Sequence, residues 1–374
     1  ASFVDEGHRT KAAPLGHALV ALAEKDPRIV GLSADLGKYT DLHIFKQAFP
    51  DRFYQMGMAE QLLFGAAGGF AAEGFVPFAT TYAVFASRRA YDFIHQTIAE
   101  EDRNVKIVCA LPGLTSGYGP SHQAAEDLAL FRAMPNMTVI DPCDAHEIEQ
   151  IVPVIAEHRG PVYMRLLRGQ VPLVLDEYGY TFELGKAKLL RDGADVLFVT
   201  SGLMTMRAHE AAEKLKADKI EAGVLHVPTI KPLDVETILR EAGRPGRLVV
   251  VMENHTVIGG LGEAIAREMI LGDVRPSSFR HIGLPDEFLA AGALPIVAVS
   301  GLLLSAGGRR ARRRFASDAG AEAADTIVLV GSEGGTTRVF AERLAVVLRA
   351  HGHVVHLATM NEVAPVHLRA DRRR

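Results

Sequence analysis

The chain has 374 residues, enough for two domains and a remainder, and its 48% hydrophobic and 23% charged residues are the balance of an ordinary soluble globular protein. A net charge of -4 argues against a nucleic-acid-binding surface, and the two cysteines, Cys109 and Cys143, lie far apart without metal-type spacing, which excludes a disulfide framework and a zinc signature. The N-terminal stretch is charged throughout and lacks the apolar core of a signal peptide, and no run approaches the roughly 18 apolar residues of a membrane span, so a cytoplasmic protein with no membrane contact is expected.

Leu15, Leu19 and Leu22 recur at helical spacing within residues 10–25, and RIVGLSADL after them reads as a buried strand running into a polar turn. Ser33 and Asp35 therefore stand at the carboxyl end of a strand, where open α/β sheets bind ligands; either one also reads as a simple cap of the next turn. The stretch PDRFYQMGMAEQLLFGAAGGFAAEG then places one acid, Glu60, at the start of a helix otherwise built of Ala, Gly, Leu and Phe. No Lys or Arg lies between Tyr54 and Phe85, so no local cation is expected to pair with it. Burial raises a carboxyl pKa, and a carboxyl so placed can share a proton with a heterocyclic nitrogen. The alternative is an acid held in the first turn by the helix macrodipole alone.

Residues 75–79 read as a short strand, followed by TTYAVFASRRAYDFI, in which Tyr82 and Phe85 stand three apart, the spacing of core residues or of a ring-stacking platform. NVKIVCAL is another strand, and LPGLTSGYGPSHQ after it is a loop with three Gly and two Pro, of the length and irregularity that functional loops have. His122 ends that loop after a Gly-Pro turn, either as a surface residue or as a functional group at a strand's carboxyl end, and an amphipathic helix is expected from near Ala124. NMTVIDPCDA reads as a strand and a helix N-terminus capped by Asp144, and GPVYMRLLRG as the strand that closes the first domain near Arg168. Five strands alternating with helices predict a parallel, doubly wound α/β sheet over residues 1–170.

Residues 171–193 read as a linker, and 194–295 as a second, smaller α/β domain with strands in DVLFVTSG, IEAGVLHV and GRLVVVMENH. The GGLG at residues 259–262 opens a helix without the G-x-G-x-x-G context of a nucleotide site. Residues 296–325 are a basic, Ala/Gly-rich linker, and residues 326–374 hold an incomplete βαβ unit, too little to bury a core of its own.

Taken in order, DRFYQMGMAEQLLFGAAGGFAAEG, PFATTYAVFASRRAYDFI, GPSHQAAEDLALFRAMPNMTVIDPCDA, GPVYMRLLRG, ENHTVIGGLGEAIA and LPDEFLAAGAL resemble the C-terminal, pyrimidine-binding subunit of a split transketolase over roughly residues 10–294. The resemblance implies a transketolase pyrimidine-binding domain, a transketolase C-terminal domain and dependence on thiamine diphosphate. It implies that Glu60 bonds N1′ of the cofactor's aminopyrimidine and so helps to generate the carbon nucleophile, and that Tyr82 and Phe85 hold the pyrimidine ring. It further implies that Ser33, His122 and Arg168 face a sugar phosphate, with Arg168 at the phosphate end. The reaction implied is transfer of a two-carbon ketol unit from a ketose phosphate to an aldose, a step in carbohydrate metabolism.

Two positions depart from the family pattern. Leu111 stands where many transketolases have a His at the start of the central loop, and Tyr118 where they have an Asp ahead of the Gly-Pro-(Ser/Thr)-His segment. Those positions read donor hydroxyls in the family, so the expected donor lies outside the standard pentose phosphates; the pattern is most similar to split transketolases acting on branched pentulose phosphates such as apulose 4-phosphate. No segment resembling the family's Gly-Asp-Gly diphosphate domain is present in the sequence. The expectation is therefore a chain inactive alone, with a separate N-terminal subunit holding the diphosphate and Mg2+ in a heterotetramer with two copies of each chain. In the tail, VLVGSEGGTTRVFAERLAVVL resembles the opening of a flavodoxin-like domain, but most of such a domain is missing and FMN binding is not expected. The β subunit of a 2-oxo acid dehydrogenase and a flavin-binding electron-transfer protein are the competing readings.

Overall fold

The computed structural model describes residues 7–289 together with two backbone strands in the tail. The first part contains β1 (Thr10–Ala12), α1 (Pro14–Ala23), β2 (Ile29–Ser33), α2 (His43–Ala48), β3 (Phe53–Gln55), α3 (Glu60–Ala72) and β4 (Val76–Tyr82). It continues with α4 (Ala83–Arg88), α5 (Tyr91–Ile94), β5 (Lys106–Ala110), α6 (Asp127–Ala133), β6 (Thr138–Ile140), α7 (Ala145–Glu157), β7 (Val162–Leu166) and β8 (Gln170–Pro172). The second part contains β9 (Lys188–Arg191), β10 (Val196–Thr200), α8 (Met204–Ala217), β11 (Ala222–His226), β12 (Thr229–Lys231), α9 (Val235–Ala242), β13 (Leu248–Thr256), α10 (Leu261–Leu271) and β14 (Ser278–Leu284).

The larger sheet has seven strands in the order β12-β6-β7-β5-β4-β2-β3. The five expected strands are all present and pair in parallel. Two more extend them: β3 in parallel at one edge and β12 antiparallel at the other, the latter contributed from beyond the expected boundary of the first domain. Central strands β4 and β5 are buried at every residue, as helices on both faces require of a parallel sheet, which is why they read as continuous apolar runs. The strand placed at residues 75–79 in fact runs to Tyr82, carrying the chain to the sheet edge before α4 begins. Asp144 caps α7 as expected, its Oδ1 accepting from the amide of Glu147 at 2.8 Å, and α7 packs its Ile148, Ile151, Val152 and Ile155 face into the core beside α1.

The smaller sheet has five strands in the order β14-β13-β10-β11-β9, parallel except for β9. The segment read as a linker is thus partly ordered into strands: β8 pairs antiparallel with β1, and β9 edges the second sheet. Buried polar groups join the two sheets' layers. Ser201 Oγ donates to Asp141 Oδ2 at 2.8 Å, His226 Nε2 lies 2.9 Å from Glu147 Oε1, and Arg165 Nη1 donates to the carbonyl of Asn254 at 3.2 Å. Residues 1–302 accordingly form one compact unit.

In the second unit, residues 303–374, β15 (Thr326–Val330) and β16 (Val355–Thr359) pair in parallel. The rest of the tail, including the basic linker and the loop compared above with a flavin-binding loop, lies outside the described residues. No helix among the described residues is long and apolar enough to cross a membrane.

Candidate functional site

The carboxyl edge of the larger sheet collects the candidate residues. Ser33 ends β2, Tyr82 ends β4, Leu111 follows β5, and Arg168 lies two residues past β7. This is the edge where parallel α/β sheets bind ligands, because the strands' turns into helices open a crevice there. Ser33 is buried, and its Oγ accepts from the amide of Leu36 at 3.2 Å, so its hydroxyl closes the turn. Asp35 is exposed with a left-handed backbone at φ 59, and its amide donates to Gln55 Oε1 at 2.7 Å. The same oxygen accepts from Gly57, which ties the β2 turn to the loop ahead of α3.

Glu60 opens α3 and is only 3% exposed. The expectation that it lacks a cationic partner is corrected: Arg89 Nη1 donates to Glu60 Oε1 at 3.2 Å. Arg89 lies just past the cation-free stretch, at the end of α4, and its guanidinium also sits over the Phe85 ring, 3.9 Å from the centroid. From Phe85 the cluster continues to His122 at 5.3 Å and Tyr82 at 5.6 Å between ring centroids, and His122 in turn meets Tyr118 at 5.3 Å. Glu60, Tyr82, Phe85 and His122 are thus linked in one run of contacts. The helix expected from near Ala124 begins at Asp127, and His122 instead belongs to a short 3-10 turn, Pro120–His122, with its Nδ1 2.9 Å from Ser121 Oγ.

Arg168 is linked to this cluster through Tyr82. Its guanidinium lies 5.5 Å from the Tyr39 ring centroid, and its charge acts on Tyr82. Burial pushes the Tyr82 phenol up, with Arg168 pulling the other way, so at neutral pH Tyr82 is a neutral donor. Arg168 Nε and Gln123 Nε2 are buried donors with no hydrogen-bond partner among the described residues. An unsatisfied buried donor is costly, and a guanidinium is suited to a phosphate or carboxylate.

The loop between β5 and α6 is held from two sides. Asn254 Oδ1 accepts from the amide of Leu114 at 3.0 Å, and the Ala125 carbonyl accepts from Thr256 at 2.8 Å. On the other side Arg88 donates to the carbonyls of Pro120 and Gln123, each at 3.2 Å, and pairs with Glu126. Leu111 is buried with a left-handed backbone at φ 58, an uncommon conformation for a residue with a branched side chain, and Tyr118 is 68% exposed against His122. Arg88 and Arg89 were not singled out from sequence; the one signal was an Arg-Arg pair directly after the aromatic segment. No group of three or more His, Cys, Asp or Glu among the described residues is arranged to hold a metal ion.

Residues 10–174 match the family model for the transketolase pyrimidine-binding domain, and residues 185–302 match the model for the transketolase C-terminal domain. A putative uncharacterized transketolase family protein of Sinorhizobium fredii is 72% identical over 295 residues, covering 79% of this chain and 86% of that protein. A 6-deoxy-6-sulfo-D-fructose transketolase subunit of a Clostridium species is 42% identical over 271 residues, covering 72% of this chain and 83% of that subunit. A solved structure described as a split gene transketolase, inactive beta4 tetramer, superposes with a TM-score of 0.68 at 42% identity, covering 78% of this chain and 96% of that one.

Proposed function

The chain belongs to the transketolase family, and from that premise we propose that it is the pyrimidine-binding subunit of a split, thiamine-diphosphate-dependent transketolase that works with a separate diphosphate-binding subunit. The observation that carries the reading is the run of contacts from the buried Glu60 carboxylate through Arg89 and Phe85 to Tyr82 and His122, with Arg168, whose Nε has no partner among the described residues, acting on Tyr82. The residues present fit an aminopyrimidine: one buried acid, an aromatic wall, and, among the described residues, Arg89 as the one cation paired with that acid. When bound, thiamine diphosphate supplies the carbon nucleophile that carries a two-carbon ketol unit between sugars.

The roles of this chain follow from its own groups. Glu60 Oε1 is engaged by Arg89, which leaves the second carboxylate oxygen to hold a proton at the pyrimidine N1′. Phe85 and Tyr82 pack the ring and exclude water from it. His122, its Nδ1 beside Ser121, presents its other ring nitrogen to the sugar, and Arg168 binds the phosphate, with Ser33 also at the carboxyl edge of the sheet. The partner holds Mg2+ and the diphosphate, and the assembly contains two copies of each chain in the cytoplasm. Support for the partner comes from a relative described as a transketolase subunit and from a solved structure described as a split gene transketolase that is inactive as a beta4 tetramer. Leu111 and Tyr118 in place of hydroxyl-reading polar groups favour a donor other than the common pentose phosphates, with branched pentulose phosphates such as apulose 4-phosphate the first class to try and the sulfonated fructose named for the Clostridium relative the second.

Calorimetric titration with thiamine diphosphate and magnesium tests the reading. The chain alone is expected to bind weakly or not at all, and binding is expected to appear with turnover of a donor sugar once the partner is added. Tight binding with turnover by the chain alone would sink the split-subunit reading.

A further inference from the structure

We infer that Arg89 is a positioning residue that locks the Glu60 carboxylate and the Phe85 ring in register, so that the free oxygen of Glu60 faces a bound aminopyrimidine at a fixed angle. The inference rests on the thiamine reading above and goes beyond it, since the geometry of Arg89 stands on contacts within this chain. Arg89 follows Phe85 by four residues, and its amide donates to the Phe85 carbonyl at 3.0 Å, so the two side chains share one helical face. The guanidinium lies on that ring, and from there Nη1 reaches back 29 positions to Glu60 Oε1.

Only arginine fits both contacts. A planar guanidinium stacked on a ring still directs its N–H groups outward in its own plane, whereas an ammonium is a point charge at the end of a flexible stem. Glu60 supplies the complementary half: its side chain is 4% exposed, while that of Arg89 is 52% exposed. The buried acid is therefore held by a half-exposed group whose other contact is the Phe85 ring. Of the two carboxylate oxygens only Oε1 has a hydrogen-bond partner among the described residues, so the arginine also decides which oxygen remains for a ligand.

The test uses the full chain reconstituted with its diphosphate-binding partner, comparing wild type, Arg89→Met, Arg89→Lys, Glu60→Gln and the Arg89→Met/Glu60→Gln double variant. Methionine keeps an apolar contact with Phe85 and removes the donor. Expected are about a tenfold rise in the thiamine diphosphate dissociation constant and a fall in kcat of roughly tenfold or more for Arg89→Met, in line with loss of one charge-assisted hydrogen bond. KM for the sugar donor and the thermal midpoint are expected to stay close to wild type, and Arg89→Lys to recover part of the affinity. Because Arg89 acts through Glu60, the double variant is expected to match Glu60→Gln alone. Independent, multiplying losses in the double variant, or unchanged affinity and kcat in Arg89→Met, overturn the inference. If the wild-type complex itself fails to bind thiamine diphosphate, the cofactor reading fails, and the role of Arg89 falls with it.

Discussion

A carboxylate at 3% exposure needs a partner, and Glu60 finds one outside its own helix. Glu60 stands out in the sequence because no Lys or Arg lies between Tyr54 and Phe85, and the same local view misses Arg89, whose contact spans 29 residues and depends on how β4 turns into α4. Glu60→Gln is nearly isosteric and can still accept from Arg89 through its amide oxygen, so the fold is expected to persist. The amide cannot exchange a proton with a ring nitrogen, and turnover of the reconstituted enzyme is expected to fall by a factor on the order of 10² or more. Near-normal turnover in steady-state assays would refute the role. His209 offers a separate test, away from the site. Burial, with the Arg191 charge beside it, holds the ring down to about 4 against 6.5 for an ordinary His. As pH falls through 6.5 the unfolded chain takes up a proton that the folded chain refuses, so stability present at neutral pH is lost between 6.5 and about 4. The ring is partly exposed, which discounts its share to on the order of 1 kcal/mol. His209→Gln cannot titrate and is expected to flatten that part of the thermal midpoint against pH; an unchanged slope in the variant would remove His209 from the account.

At the scale of elements, the strands that were legible are those whose burial on both faces forces an apolar run between Gly, Pro and Asp turns, as in β2, β4 and β5. The edge strands were not. β3 is three half-exposed to exposed residues, and β12 is three residues whose pairing partner, β6, lies some ninety positions earlier, so no local periodicity announces either. The central loop shows the same division. Its Gly and Pro content marked it as ordered and functional, but its anchor, Asn254, comes from β13 in the other sheet. Gly113 has φ +56, and a Cβ there would collide with the Asn254 side chain and carbonyl. Gly113→Ala therefore combines a disfavoured backbone with displacement of the anchor, and is expected to cost about 1–3 kcal/mol. Amide hydrogen exchange across residues 111–123 is the measurement, with faster exchange expected together with a reduced kcat/KM for the sugar donor. Protection equal to wild type would mean that Asn254 is not what holds the loop.

For the whole molecule, the two family domains behave as one body because strand β12 and buried pairs such as Asp141 with Ser201 and Glu147 with His226 cross between their sheets. The pyrimidine-binding model ends at residue 174 and the C-terminal model begins at residue 185, yet buried contacts cross between the two. The C-terminal domain model stops at residue 302, which is also the bound of the first compact unit. All candidate residues for cofactor and sugar, from Ser33 to Arg168, lie well inside that body, as do the contacts that hold them. A chain ended after Leu304 is therefore expected to keep its affinity for the partner subunit and its turnover number within about twofold of the full chain, a difference equivalent to a few tenths of a kcal/mol. Sedimentation of the truncated chain with the partner, followed by the same donor assay, measures both quantities. Loss of assembly would show that residues beyond Leu304 take part in the subunit contact, and loss of turnover with assembly intact would show that they reach the site. A yellow flavin absorbance that copurifies with the full chain and disappears on truncation would instead give the tail a chemistry of its own.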